Sequence, residues 1–163
     1  MKYAAVIENA AGTWQLVFPD VPDYVKSARV ANSLLAGIEE RLFEALHQHV
    51  TVTGDLPPAQ HDGGVLIQVR PVDAARLALT RALHQRAAAT PEAAGLALDV
   101  GAAEASEVLD ARVWVDANKV FRYLEDLGVS CELTFEDSRT EAPRVKRQPV
   151  AKKRGRKPKA TAK

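Results

Sequence analysis

Residues 2–18, KYAAVIENAAGTWQLVF, read as two strands around a turn, and the rest of the fold follows from them. Over Lys2–Glu8, Tyr3, Ala5 and Ile7 alternate with Lys2, Ala4 and Val6, the period of a strand. After Asn9-Ala-Ala-Gly12, a second strand, Thr13–Phe18, places Trp14, Leu16 and Phe18 on one face. A short connection containing glycine fits a hairpin. Pro19-Asp-Val-Pro-Asp23 ends the ladder, because proline has no backbone donor, and Tyr24–Lys26 can start a short third strand.

Working outward, Ser27 is the expected N-cap of a long helix over about residues 28–49. Its apolar positions Leu34, Leu35, Ile38, Leu42, Phe43, Ala45 and Leu46 recur at helical spacing, with Glu39, Glu40, Arg41 and Glu44 mostly opposite. Gly54–Pro58 ends that helix, residues 60–64 form a loop, and Val65–Val69 is a fourth strand. The fold class is therefore α+β, with a β-β-β-α-β domain over residues 1–70.

Residues 71–137 read as a helical domain. Ala74–Gln85 is a helix with Ala75, Leu77, Ala78, Ala82 and Leu83 as core candidates. Thr90-Pro91 starts another, over 91–98, as an N-cap followed by proline at the first helical position. Asp99-Val-Gly101 then leads into a helix over 102–111, which gives the outline of a helix-turn-helix. Asp116 caps a helix over Ala117–Leu127, Gly128 follows it, and Val129–Phe135 is expected to close the domain as a strand. Residues 138–163 lack Leu, Ile and aromatics and read as a basic tail, disordered until bound.

The net charge of +1 over 163 residues hides a division. Eleven of the 22 basic and one of the 21 acidic residues fall in 138–163, which leaves +10 there and −9 in the first 137 residues. The single cysteine, Cys131, allows no internal disulfide framework and points to a reducing, cytoplasmic setting. The apolar stretch Tyr3–Ile7 is too short for a signal-peptide core, and no run suits a membrane helix, so no membrane association is expected.

The order of these segments resembles HicB-type antitoxins, bacterial proteins that bind a small HicA-type ribonuclease toxin and often repress their own operon. The opening hairpin and Trp14-Gln-Leu-Val-Phe-Pro-Asp-Val-Pro-Asp23 are similar to the family's first hairpin and its "FPDLPG" corner. The helix from about Ala28 and Gly54–Pro58 look like its covering helix and exit turn, and Val65–Val69 with the later helix pair match the subclass with a C-terminal helix-turn-helix. Covering about residues 1–137, the resemblance implies a reduced ribonuclease-H-like N-terminal domain, a HicA-like toxin as partner, and DNA binding for autoregulation. Asp23 departs from it where glycine is usual, implying a different turn; Tyr24 stands where cysteine is common and would fill the same pocket.

Pro19, Asp20 and Tyr24 lie near the expected sheet end, where they either contact a partner or shape the turn. An RNA-binding toxin is expected to be basic, so a −9 body would attract it; the same charge also serves ordinary solubility. For DNA, the candidate residues are Ser106 and Arg112 near the second helix, and Lys152, Lys153, Arg154, Gly155, Arg156, Lys157 and Pro158 in the tail. The tail run resembles an AT-hook, in which glycine lets the backbone lie in the minor groove while flanking arginines enter it. The plainer alternative is a basic tail that binds any polyanion by counterion release.

The second helix would present Ala102, Ala103, Glu104, Ser106 and Glu107 outward, and its glutamates would repel phosphates. It either reads DNA weakly or serves structure and dimerisation. That leaves two functional readings: an antitoxin-like protein, or a stand-alone nucleic-acid-binding regulator acting through its tail. Glu8 and Asp20 are too few for two-metal catalysis, and His47, His49, His61 and His84 share no face. No enzyme activity, metal or cofactor is expected. Trp114 reads as an anchor for the core or for a dimer interface, and the open edge of the closing strand suggests a homodimer.

Overall fold

The computed structural model describes residues 1–61 and 63–130. Cys131, most of the expected closing strand and the basic tail lie outside them; Val129 and Ser130, where that strand would begin, are not in a strand.

β1 (Lys2–Ala10) and β2 (Thr13–Val17) form the hairpin around a two-residue turn, Ala11-Gly12, in register from Val6↔Val17 to Ala10↔Thr13. β3 (Val25–Ala28) pairs with β2, and β4 (Val65–Gln68) pairs with the first half of β1. The result is an antiparallel four-stranded sheet in the order β3-β2-β1-β4. Tyr3, Leu16, Phe18 and Ile67 on its inner face meet Leu34 of α1 (Ala31–Leu35) and Leu42, Leu46 and Val50 of α2 (Ile38–Thr53). Burying a side chain of that size contributes about 1.5–3 kcal/mol.

The opposite face has a different composition. The in-register row Val6, Val17 and Val25 crosses it beside Leu66, with Val25 54% and Leu66 51% exposed. Lys2 and Gln68 border that row at one end, and Glu8, Gln15 and Ser27 at the other.

Two expectations for this half are corrected. Ser27 does not cap a helix: it lies in β3 opposite Gln15. The expected single helix over 28–49 is two helices, because Gly37 adopts a left-handed φ of 68° between them, a conformation that costs glycine little. The break turns Leu35 outward, leaving it 45% exposed.

The helical half follows its caps more closely. α3 (Pro71–Gln85) starts three residues earlier than expected, with Pro71 in the first turn, where the missing donor costs nothing. Thr90 caps α4 (Pro91–Leu98) by accepting from the Ala93 N–H at 3.3 Å. Asp116 caps α6 (Ala117–Asp126) by accepting from the amides of Asn118 and Lys119. Between α4 and α5 (Ala102–Leu109) the chain folds back tightly: a Cβ on Gly95 would stand 2.8 Å from the Val100 carbonyl oxygen.

Leu79, Leu83, Ala94, Leu98, Ala105, Val108, Val120, Tyr123 and Leu124 form the second core. Trp114 is not part of it; at 80% exposure it stands on the surface, which excludes the core-anchor alternative and not the dimer-interface one. The cores share α3, which gives Leu77 to the first and Ala75, Leu79 and Leu83 to the second. Among the described residues, no helix is long and apolar enough to cross a membrane.

Candidate interaction sites

Asp20, with partner contact and turn shaping as its alternatives, is turned inward. Its Oδ1 accepts from the amides of Gln60 at 3.0 Å and His61 at 3.2 Å, and it meets His61 Nδ1 at 2.5 Å. Burial alone would raise the pKa of this carboxyl, but the hydrogen bonds from His61 and Gln60 outweigh it and hold the group below its ordinary value. Its Oδ2 is buried without a hydrogen-bond partner among the described residues. Asp20 therefore ties the β2–β3 corner to the loop before β4, while Pro19 beside it is half-buried. Asp23 holds a left-handed φ of 66°, the kind of conformation glycine adopts without strain, which accounts for a corner built with an aspartate.

Tyr24 packs its ring 5.6 Å from that of Phe18, and its hydroxyl donates to Glu44 Oε2 at 3.4 Å. Burial, and then the neighbouring Glu44 carboxylate, push the Tyr24 pKa up to about 12. Tyr24 also lines a groove of about 690 Å³ with Ser106 and Arg112. The fold thus brings one expected partner residue and two expected DNA residues to the same depression, between α2 and the end of α5. Gln48 and Thr51 of α2 and Lys26 of β3 complete its polar side.

The DNA-facing potential of this region is limited by its pairings. Arg112 Nε and Nη2 donate to the two oxygens of Asp110 at 3.1 and 3.0 Å, and its backbone N–H donates to Oδ1 at 2.9 Å. Those bonds from Arg112 hold the Asp110 carboxyl down at about 2. On α5, Ala102, Ala103, Ser106 and Glu107 are exposed, while Glu104 accepts from Lys119 Nζ at 2.8 Å and Tyr123 Oη at 2.6 Å. The hydrogen bonds from Lys119 and Tyr123 keep Glu104 ionised to lower pH than usual. A duplex laid against α5 would meet carboxylates, and an arginine already engaged with one. The tail candidates Lys152, Lys153, Arg154, Gly155, Arg156, Lys157 and Pro158 lie outside the described residues.

At the junction of the cores, His47 is 5% exposed and its Nε2 has no hydrogen-bond partner among the described residues. Burial first, and then the Arg76 charge, lower its pKa to about 4, so the imidazole is neutral near pH 7. No group of three or more metal-ligating side chains is assembled among the described residues. Sequence reasoning missed Glu44, His47, Arg76 and Asp110 as parts of this junction. Only Asp110, two positions before Arg112, left a local signal.

Compared with known proteins, the chain matches no family model and no curated sequence.

Proposed function

We propose that the protein is an antitoxin-like binding protein of the HicB type. Its N-terminal half would cover a small, basic HicA-like ribonuclease toxin, and its C-terminal half and tail would hold DNA. The observation that carries this reading is the one-sided sheet: helices cover the inner face, while Val6, Val17, Val25 and Leu66 form an apolar centre with a polar rim on the outer one. An apolar centre within a polar rim is the anatomy of a protein interface. The −9 charge of the first 137 residues suits a basic partner. The reduced ribonuclease-H-like arrangement belongs to the same proposal, supported by the strand order β3-β2-β1-β4 with helices on one face.

Co-expression tests it. A short neighbouring reading frame encoding a small basic protein should arrest growth alone and be neutralised by this chain. Val17→Asp, at the centre of the apolar row, should abolish neutralisation while thermal unfolding shows a folded chain. A harmless neighbour, or full neutralisation by the folded variant, would overturn the reading.

A second reading, a nucleic-acid-binding regulator acting through its tail without a toxin, draws support from the acidic face of α5 and the Arg112–Asp110 pair. Replacing Lys152, Lys153, Arg154, Arg156, Lys157 and Lys159 by Gln should weaken duplex binding and flatten its dependence on salt. Unchanged binding would end that role for the tail. If Arg156→Ala weakens binding to A/T-rich and G/C-rich duplexes equally, only polyanion affinity is left.

A further inference from the structure

Beneath Trp114 lies a cleft of about 480 Å³, walled by Phe43 of α2, Pro71, Val72 and Arg76 of α3, and Val113. Its volume falls in the range of small-molecule sites. Apolar side chains make up much of the wall, with Glu40, Glu44 and Asp73 also in it, and it holds a guanidinium that is not ion-paired as the others are. Arg70, also in the wall, is paired with Glu40 at 2.8 Å and Asp73 at 2.6 Å, and Arg112 with Asp110 at 3.0 Å. Arg76 has no carboxylate within 4.0 Å among the described residues, although it is 8% exposed. It stacks 4.7 Å from the Phe43 ring centroid and donates from Nη2 to the Asp110 carbonyl oxygen at 3.0 Å.

A guanidinium has five N–H donors in a planar fork that matches a carboxylate. Among the described residues, Nε and Nη1 of Arg76 have no hydrogen-bond partner, and neither is sealed away from solvent. Burying a cation without a matching anion is costly, and an anion bound in the cleft would relieve that cost. Trp114 lines the same cleft, and its exposed indole offers a flat face for stacking.

We propose that this cleft binds a flat organic carboxylate: the carboxylate accepts from the Arg76 N–H groups that the Asp110 carbonyl leaves free, and the ring system lies against Trp114 and the apolar wall. Asp73 and Asp110 act on Arg76 through their charge, but Asp73 and Glu40 are hydrogen-bonded to Arg70 and the Asp110 carboxylate to Arg112. The proposal does not rest on the toxin or DNA readings, although Arg112 also lines the cleft, and its test uses neither.

The full chain is titrated with 2-naphthoate while the indole N–H signal of Trp114, identified by its loss in Trp114→Phe, is followed by NMR. A saturable shift is expected. The uncharged 2-naphthamide should bind at least about tenfold more weakly, since it lacks the charge-assisted bonds. By calorimetry, Arg76→Lys should also lose about tenfold, because lysine keeps the charge but not the fork. Trp114→Ala, at an exposed position, should lose several-fold in a folded chain. The proposal is overturned if naphthoate does not saturate, if acid and amide bind alike, or if Trp114→Ala binds as the native chain does. Should Arg76→Lys unfold, the amide comparison and Trp114→Ala still decide.

Discussion

The two cores of this protein are built on different plans. The first gathers large side chains from distant parts of the chain: Tyr3, Leu16 and Phe18 from the sheet meet Leu42, Phe43 and Leu46 from α2, and Ile67 from β4. The second is rich in alanine, with Ala75, Ala82, Ala88, Ala94 and Ala105 letting neighbouring short helices approach closely. One core depends on filled volume, the other on close backbone approach. Substitutions that remove atoms should therefore hurt the first core more, and those that add atoms should hurt the second.

The largest expected effect is Phe18→Ala, which empties the centre of the first core and should cost about 3–5 kcal/mol in denaturant unfolding. A loss under about 1 kcal/mol would break the contrast between the cores. Next comes His47, at their junction. Its folded pKa of about 4 lies below the ordinary 6.5, so the unfolded chain binds the proton first. Stability should fall by on the order of 3 kcal/mol as pH drops from about 6.5 to about 4. His47→Leu should flatten that window, and an unchanged profile would show that the imidazole is not held neutral.

Asp20 should act at lower pH than His47. Its folded pKa is depressed, so the stability it contributes is present above the ordinary carboxylate range and is lost as pH falls through the folded value. Asp20→Asn should remove this acid-range loss and leave the His47 window in place. The smallest effect sharpens the second plan: Gly95→Ala adds one methyl group against the Val100 carbonyl and should cost about 1–2 kcal/mol, although alanine is the better helix former. A stabilised variant would mean that the α4–α5 approach has slack.

The same difference explains what could be read from the sequence. In the helical half the signals are local, and Thr90-Pro91, Asp116 and Gly128 mark helix ends that the structure keeps. The hairpin was also legible, because its period and turn lie within one short stretch. Ser27 was misread because a cap-like residue before a helical period cannot reveal that β2 is waiting to pair with it. The sequence leaves Asp20 between a partner contact and a turn-shaping role because the groups it ties down, Gln60 and His61, lie about forty residues away. Trp114 carried the same lesson in reverse, since an apolar tripeptide does not say whether its ring finds a core. Of the candidate sites, the residues were visible but their grouping was not: Tyr24, Ser106 and Arg112 come together only through the packing of α2 and α5.

Helix α3 gives the molecule a property that neither core has alone. Leu77 and Leu79, two positions apart, are anchored in different cores, so melting either half removes a wall from the other. The sheet and the helical bundle should then unfold in one calorimetric transition. A ligand bound to either half would raise the melting temperature of both, and occupancy of the outer sheet face would be felt thermodynamically at α5 without any movement of one against the other.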